Sequence, residues 1–123
     1  MKQSIILIAI GIFLLSGCSA MSKMEETKSL EIVSPDYSKL SDGTYRGAYD
    51  GGLVVAEVEV RLENGKIQSV DLRRHDHGRG GKAEKIVDDI VAAQSLDVDV
   101  IAGATVSSKA ILKASEHALQ GGN

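Results

Sequence analysis

The chain has no tryptophan, one phenylalanine, one proline and one cysteine, and aromatic residues make up only 3% of its 123 positions. Phe13 falls in an apolar leader, so any folded domain downstream must build its core from Val, Ile, Leu and Ala. One cysteine excludes an internal disulfide framework. No basic block is present and the formal net charge is −3. This argues against nucleic acid as a partner, because phosphates demand clustered Lys and Arg. No period recurs, which excludes solenoid and low-complexity architectures. The length suits one domain, since domains typically run to about 100–150 residues.

The N-terminus is patterned. Lys2 carries one positive charge, and Ser4 to Leu15 forms a short apolar segment. At roughly 12 residues it is too short to cross a bilayer as a helix, which takes about 20. It fits the apolar region of a secretory signal. The segment ends Leu15-Ser16-Gly17-Cys18 and resembles the bacterial lipobox. That resemblance implies cleavage before Cys18 and lipidation of its thiol. Residues 1–17 are therefore expected to be a lipoprotein signal peptide, and residues 18–41 a lipidated cysteine followed by a tether. Stable anchoring takes more than one acyl chain, each buried CH₂ contributing about 0.8 kcal/mol. The expected location is extracytoplasmic, held through membrane lipid to a bacterial membrane. The stretch Ser19 to Ser29 lacks a sustained apolar period, and Pro35 interrupts any helix there.

Residues 42–120 read as the folded domain. Gly43 to Tyr49 forms an extended segment with Tyr45 and Tyr49 on one face, and Asp50-Gly51-Gly52 is a turn. Val54, Ala56, Val58 and Val60 alternate with Val55, Glu57, Glu59 and Arg61, the period of a half-buried strand. Asn64-Gly65 signals a type I′ hairpin turn, which requires positive φ at both central positions. The returning strand runs from Lys66 to Arg73 with Val70 and Leu72 inward; Ile67 is out of phase, which suggests a bulge or a frayed strand start. Ala83, Ile86, Val87, Ile90 and Val91 follow a helical period. Leu96 to Ile101 reads as a short strand. A last helix is expected over about Val106 to Leu119, with Ala110, Ile111, Ala114 and Ala118 buried. The fold class is α+β: a small antiparallel sheet, hairpin plus additional strand, packed with two helices.

Three groups of residues could carry chemistry. The first is Asp99-Val100-Ile101-Ala102-Gly103-Ala104-Thr105-Val106-Ser107-Ser108, a strand end, a glycine turn and a helix start. Helix N-termini leave amide N–H groups unpaired and carry partial positive charge, so a phosphate is stabilised there without a basic side chain. The same pattern also serves an ordinary capped helix. The second is His75-Asp76-His77, followed by Gly78. Two histidines at i, i+2 on a strand share a face, as zinc or copper would need, but one pair, with no cysteine and no distant pair of ligands obvious in the chain, falls short of the usual three or four, and a solvated polar loop is the plainer reading. The third is Tyr45 with Tyr49, which either stack on a ring system or cover the sheet. No catalytic triad, paired-carboxylate site or P-loop is visible. Lys109 and His117 read as solvated positions on the last helix.

Asp99-x-x-Ala102-Gly103-Ala104-Thr105 resembles the flavinylation motif Asp-x-x-(Ser/Thr)-Gly-Ala-Thr of FMN-binding domains, found in the sodium-pumping NADH:quinone reductase, in Rnf complexes and in small secreted electron carriers. The resemblance extends over residues 42–119. It includes Asp42-Gly43-Thr44-Tyr45-Arg46-Gly47, Asn64-Gly65-Lys66-Ile67, His77-Gly78-Arg79-Gly80 with Ala83-Glu84, and Gln94 to Asp99. It implies FMN as cofactor and Thr105 as the residue esterified by a separate, Mg²⁺-dependent flavin transferase. It implies that Asp99 serves transferase recognition or the turn, and that His77 and Gly78 approach the flavin. Gly103, Ala104, Ser107 and Ser108 complete the expected cofactor contacts. Ala102 departs from the pattern, removing a hydroxyl. The expected function is electron relay between membrane and extracytoplasmic redox partners. The alternatives are a ligand-free structural lipoprotein and a flavin-dependent reductase of a diffusible substrate.

Overall fold

The computed structural model describes residues 22–77 and 80–121. Residues 22–28 are helical (α1). Strands β1 (Gly43–Asp50), β2 (Val55–Glu63) and β3 (Lys66–Asp76) follow. A 3₁₀ turn (Gly81–Lys85), helix α2 (Ile86–Ala93) and helix α3 (Thr105–Leu119) complete the chain. The strands form one antiparallel sheet in the order β1-β2-β3. The expected α+β class is the observed one.

The β2–β3 hairpin forms as its residues dictate. Asn64 and Gly65 have φ of +55° and +72°, the left-handed pair a type I′ turn requires. On the inner face, Val58, Val60, Leu62 and Ile67 are at most 2% exposed. Burying each such side chain contributes about 1.5–3 kcal/mol. The out-of-phase Ile67 is reconciled by a bulge. Arg61 pairs with Ser69 while Leu62 pairs with Ile67, so Gln68 is the extra residue. A second bulge lies between the pairs Glu57–Arg74 and Val58–Leu72, with Arg73 inserted. Each bulge reverses the face that follows. The second therefore turns His75 inward, opposite the fully buried Ala56, and leaves Arg74 and Asp76 outward.

Helix α3 lies across the inner face of β1 and β2. Ala110, Ile111, Ala114 and Ala118 are fully buried, as their spacing predicts. The fit against β1 is close enough that a Cβ on Gly47 would overlap the carbonyl of Ala114 and lie 2.5 Å from the amide of Ala118. Helix α2 ends at Gln94, which takes a left-handed conformation (φ +56°). Its side chain fastens the first bulge: Nε2 donates to the Ile67 carbonyl and Oε1 accepts from the Ile67 amide, both at 2.8 Å.

Two expectations change. Residues 96–101 form no strand. Val98 is partly buried between exposed Asp97 and Asp99, but Val100 is itself 36% exposed, so the alternation holds only from Leu96 to Asp99. Among the described residues no strand pairs with this segment; the Leu96 amide donates to Ser34 Oγ and the Val98 amide to the Leu96 carbonyl. The expected tether, in turn, is docked over residues 22–40. Thr27 is fully buried and bonds the Lys23 carbonyl and the Tyr49 hydroxyl. Lys109 Nζ donates to the Leu30 carbonyl, and the Val33 amide to the buried Glu116 carboxylate. Ile32, Tyr37 and Leu40 pack on the core. Among the described residues no helix is long and apolar enough to cross a membrane.

Candidate functional site

The turn before α3 is built by glycine and closed by serine. Gly103 has φ of +76°, which a side chain rarely adopts, and the Ala104 amide donates to the Ile101 carbonyl. Ser108 then locks the turn. Its amide donates to the Ala104 carbonyl, and its fully buried Oγ accepts from the Ile101 amide at 2.9 Å. Ala104 occupies the cap position and offers no side-chain acceptor. The first amides of α3 thus keep their donor capacity, and its first turn holds no acidic residue.

In front of this helix mouth lies a cavity of about 470 Å³, within the ~300–1,000 Å³ range of small-molecule sites. Gly103, Ala104, Thr105, Val106 and Ser107 form one wall. Leu53 and Val54, entering β2, form an apolar side; Leu53 is 63% exposed at the rim. Met24 and Lys28 of α1 and Gly80 complete it. Gly80 packs so closely on Ser107 that a Cβ would overlap the serine side chain. Lys82 brings a cation to the same turn: a Cβ on Gly103 would stand 2.6 Å from its Nζ. Uncapped amides, a hydroxyl and an ammonium form a donor set for a phosphate, beside apolar surface for a ring.

The predicted residues divide. Gly103, Ala104, Thr105 and Ser107 line the cavity together. Ser108 is buried behind them as a structural lock. Asp99 is exposed and outside the lining. His77 is also outside the lining, 3.5 Å from Glu84. Gly78 and Cys18 lie outside the described residues. Neither tyrosine lines the cavity. Tyr45 donates to the Ser41 carbonyl at 2.6 Å, and the Tyr49 hydroxyl lies 3.0 Å from Thr27 Oγ1. Lys109 and His117 are not simply solvated, since Lys109 holds Leu30 and His117 Nδ1 donates to the Ala48 carbonyl at 2.8 Å. Sequence reasoning missed Met24, Lys28, Leu53, Gly80 and Lys82. Only Gly80, within a glycine-rich loop, carried a local signal.

Asp76 is withdrawn from this chemistry. Its carboxyl is held below the usual range, first by the hydrogen bond from Arg74, whose Nη2 lies at 2.6 Å.

A family model described as an FMN-binding domain matches residues 51–120. That range holds β2, β3, α2, α3 and the cavity wall from Leu53 to Ser107; Met24 and Lys28 precede it. The chain is also 34% identical over 86 residues to an uncharacterized protein of Treponema pallidum (strain Nichols). The alignment covers 68% of this chain and 24% of that protein, so the chain spans about a quarter of the length of the curated relative it matches.

Proposed function

Since the chain belongs to the FMN-binding domain family, with FMN as its cofactor, we propose that it is a lipid-anchored, extracytoplasmic electron carrier with FMN esterified to Thr105. The single observation that supports the covalent assignment is Thr105 in the cavity lining at the uncapped mouth of α3. The residues suit the group. The amides of the first α3 turn and the Lys82 ammonium would hold the phosphate, Ser107 would add a hydroxyl, and Leu53 and Val54 would give the ring an apolar contact. Bound FMN supplies reversible electron and proton transfer, while the protein supplies position and electrostatics.

Attachment is the work of a separate flavin transferase using FAD. Thr105 Oγ forms the new bond to the FMN phosphorus, the pyrophosphate bond breaks, AMP leaves, and the hydroxyl proton passes to a base of the transferase or to water. The helix dipole favours the anionic phosphodiester that results. Lipid anchoring at Cys18 rests on the lipobox-like segment. On that reading, the four steps from Cys18 to Ser22 at the start of α1 reach at most about 14 Å. The domain would then sit close to the membrane instead of swinging on a long tether, handing electrons between a membrane donor and an extracytoplasmic acceptor.

Ala102 supports a second reading, in which FMN is held without the ester. One experiment separates them. Intact-mass analysis after co-expression with a flavin transferase is expected to show, under denaturing conditions, the mass of one FMN less one water. Thr105→Val is expected to abolish that addition. An unmodified mass with flavin released on denaturation favours the second reading, and an addition that persists in Thr105→Val overturns Thr105 as the acceptor.

A further inference from the structure

The bulge at Arg73 has a chemical consequence at the end of β3. It turns His75 to the inner face, where the side chain is only 2% exposed, and His77 follows two residues later. The 3₁₀ turn then brings Glu84 to both rings. Glu84 Oε2 lies 2.9 Å from His75 Nδ1 and 3.5 Å from His77 Nε2. The two imidazoles stand with centroids 4.5 Å apart. Glu84 is the sole hydrogen-bond partner of the His75 side chain among the described residues, and His75 Nε2 is buried without one. The His75 atom that faces Glu84, and so the one offered to an ion beside it, is Nδ1.

We propose that His75, His77 and Glu84 bind one divalent transition-metal ion of the zinc class. One ligand atom from each residue lies within 4.8 Å of the others. Around a tetrahedral ion with bonds of about 2.0–2.2 Å, ligand atoms stand roughly 3.3–3.6 Å apart; the His77–Glu84 separation of 3.5 Å falls in that range, and the His75–Glu84 separation of 2.9 Å needs to open by a few tenths of an ångström. Two imidazoles and one carboxylate are a borderline donor set, suited to zinc and not to calcium or magnesium. The fourth position is left to water or another ligand. Glu84 and His77 keep 47% and 29% of their side-chain surface in solvent, which gives the ion a route in. Asp76 does not compete, being paired outward with Arg74. The ion would clamp the 3₁₀ turn to the end of β3. Gly81 in that turn packs on the His77 ring, and its neighbour Gly80 packs on Ser107 of the cavity wall.

The site is tested without flavin, so its fate and that of the flavin assignment are independent. The untagged full chain, stripped with a chelator, is titrated with Zn²⁺ by calorimetry and with Co²⁺ by visible absorbance. One saturable equivalent is expected, with the d–d bands of a low-coordinate Co²⁺ ion. Glu84→Gln, which keeps the shape and an acceptor for His75, and His77→Ala should each weaken binding by at least about tenfold. No saturable equivalent in the parent chain, or unchanged affinity in both variants, overturns the proposal.

Discussion

The β2–β3 hairpin and the segment over residues 22–41 are both held to the same body by different forces. The hairpin presents Val58, Val60, Leu62 and Ile67 as one continuous buried face. The segment has partly buried Ile32, Tyr37 and Leu40, and otherwise relies on separate polar contacts: Thr27 with Tyr49, Leu30 with Lys109, Val33 with Glu116, Ser34 with Leu96. Several of these engage main-chain atoms. Apolar burial is collective and must repeat along a strand, whereas a polar contact to a backbone atom is satisfied once and imposes no repeat. The difference matters for function, because the segment contributes Met24 and Lys28 to the cavity whose other walls come from the sheet and α3.

Three substitutions would break or sharpen this contrast. Ile111→Ala removes a fully buried side chain beneath the sheet and is expected to cost about 2–5 kcal/mol in denaturant unfolding. Thr27→Val keeps volume but strips the contacts to Lys23 and Tyr49, with an expected cost of about 1–2 kcal/mol. Hydrogen exchange should then rise across residues 22–34 and leave β2 and β3 unchanged; an equal loss of protection in the hairpin would show that the two regions unfold as one unit.

The smallest effect is expected on the outer face. Glu59 is held below its ordinary value of 4.5, first by the hydrogen bond from Arg73 and then by the charges of Arg73 and Arg46. Its folded pKa lies below the unfolded one, so its contribution is complete above the unfolded value and is lost as pH falls through the lowered folded value. Arg73→Ala should lower the urea midpoint slightly at neutral pH, where the Glu59 contribution is complete, and flatten its fall below about pH 4.5; the change is small because the pair lies on the outer face with Arg73 62% exposed. An unchanged acid limb would remove this triad from the account of the hairpin.

Much of the site was legible. The Gly103-Ala104-Thr105 turn, its positive φ and the helix behind it follow from residues adjacent in sequence, and so do the Asn64-Gly65 turn and the buried stripe of α3. Residues 96–101 show where periodicity ran out: alternation predicts which side chains face inward, not whether a neighbouring strand exists to pair with. Ser108 shows another limit. Beside Ser107 in sequence, it points to a different task, since a helix turns neighbouring side chains to different sides. The Arg73 bulge was not legible either, because an extra residue in a ladder is defined only against its partner strand.

By itself the sequence determined the elements whose causes are local: turn glycines, strand alternation, the helical stripe and the unpaired amides at the mouth of α3. Tertiary structure alone decided what distant residues do for one another. It brought α1 to the cavity and Lys82 to the turn at Gly103, docked the segment expected to be a tether, and set Glu84 against two histidines nine and seven positions earlier. The reason is physical. Backbone preference acts between neighbours in the chain, whereas charge, hydrogen bonding and close packing act between neighbours in space, and only the folded chain makes those two sets meet.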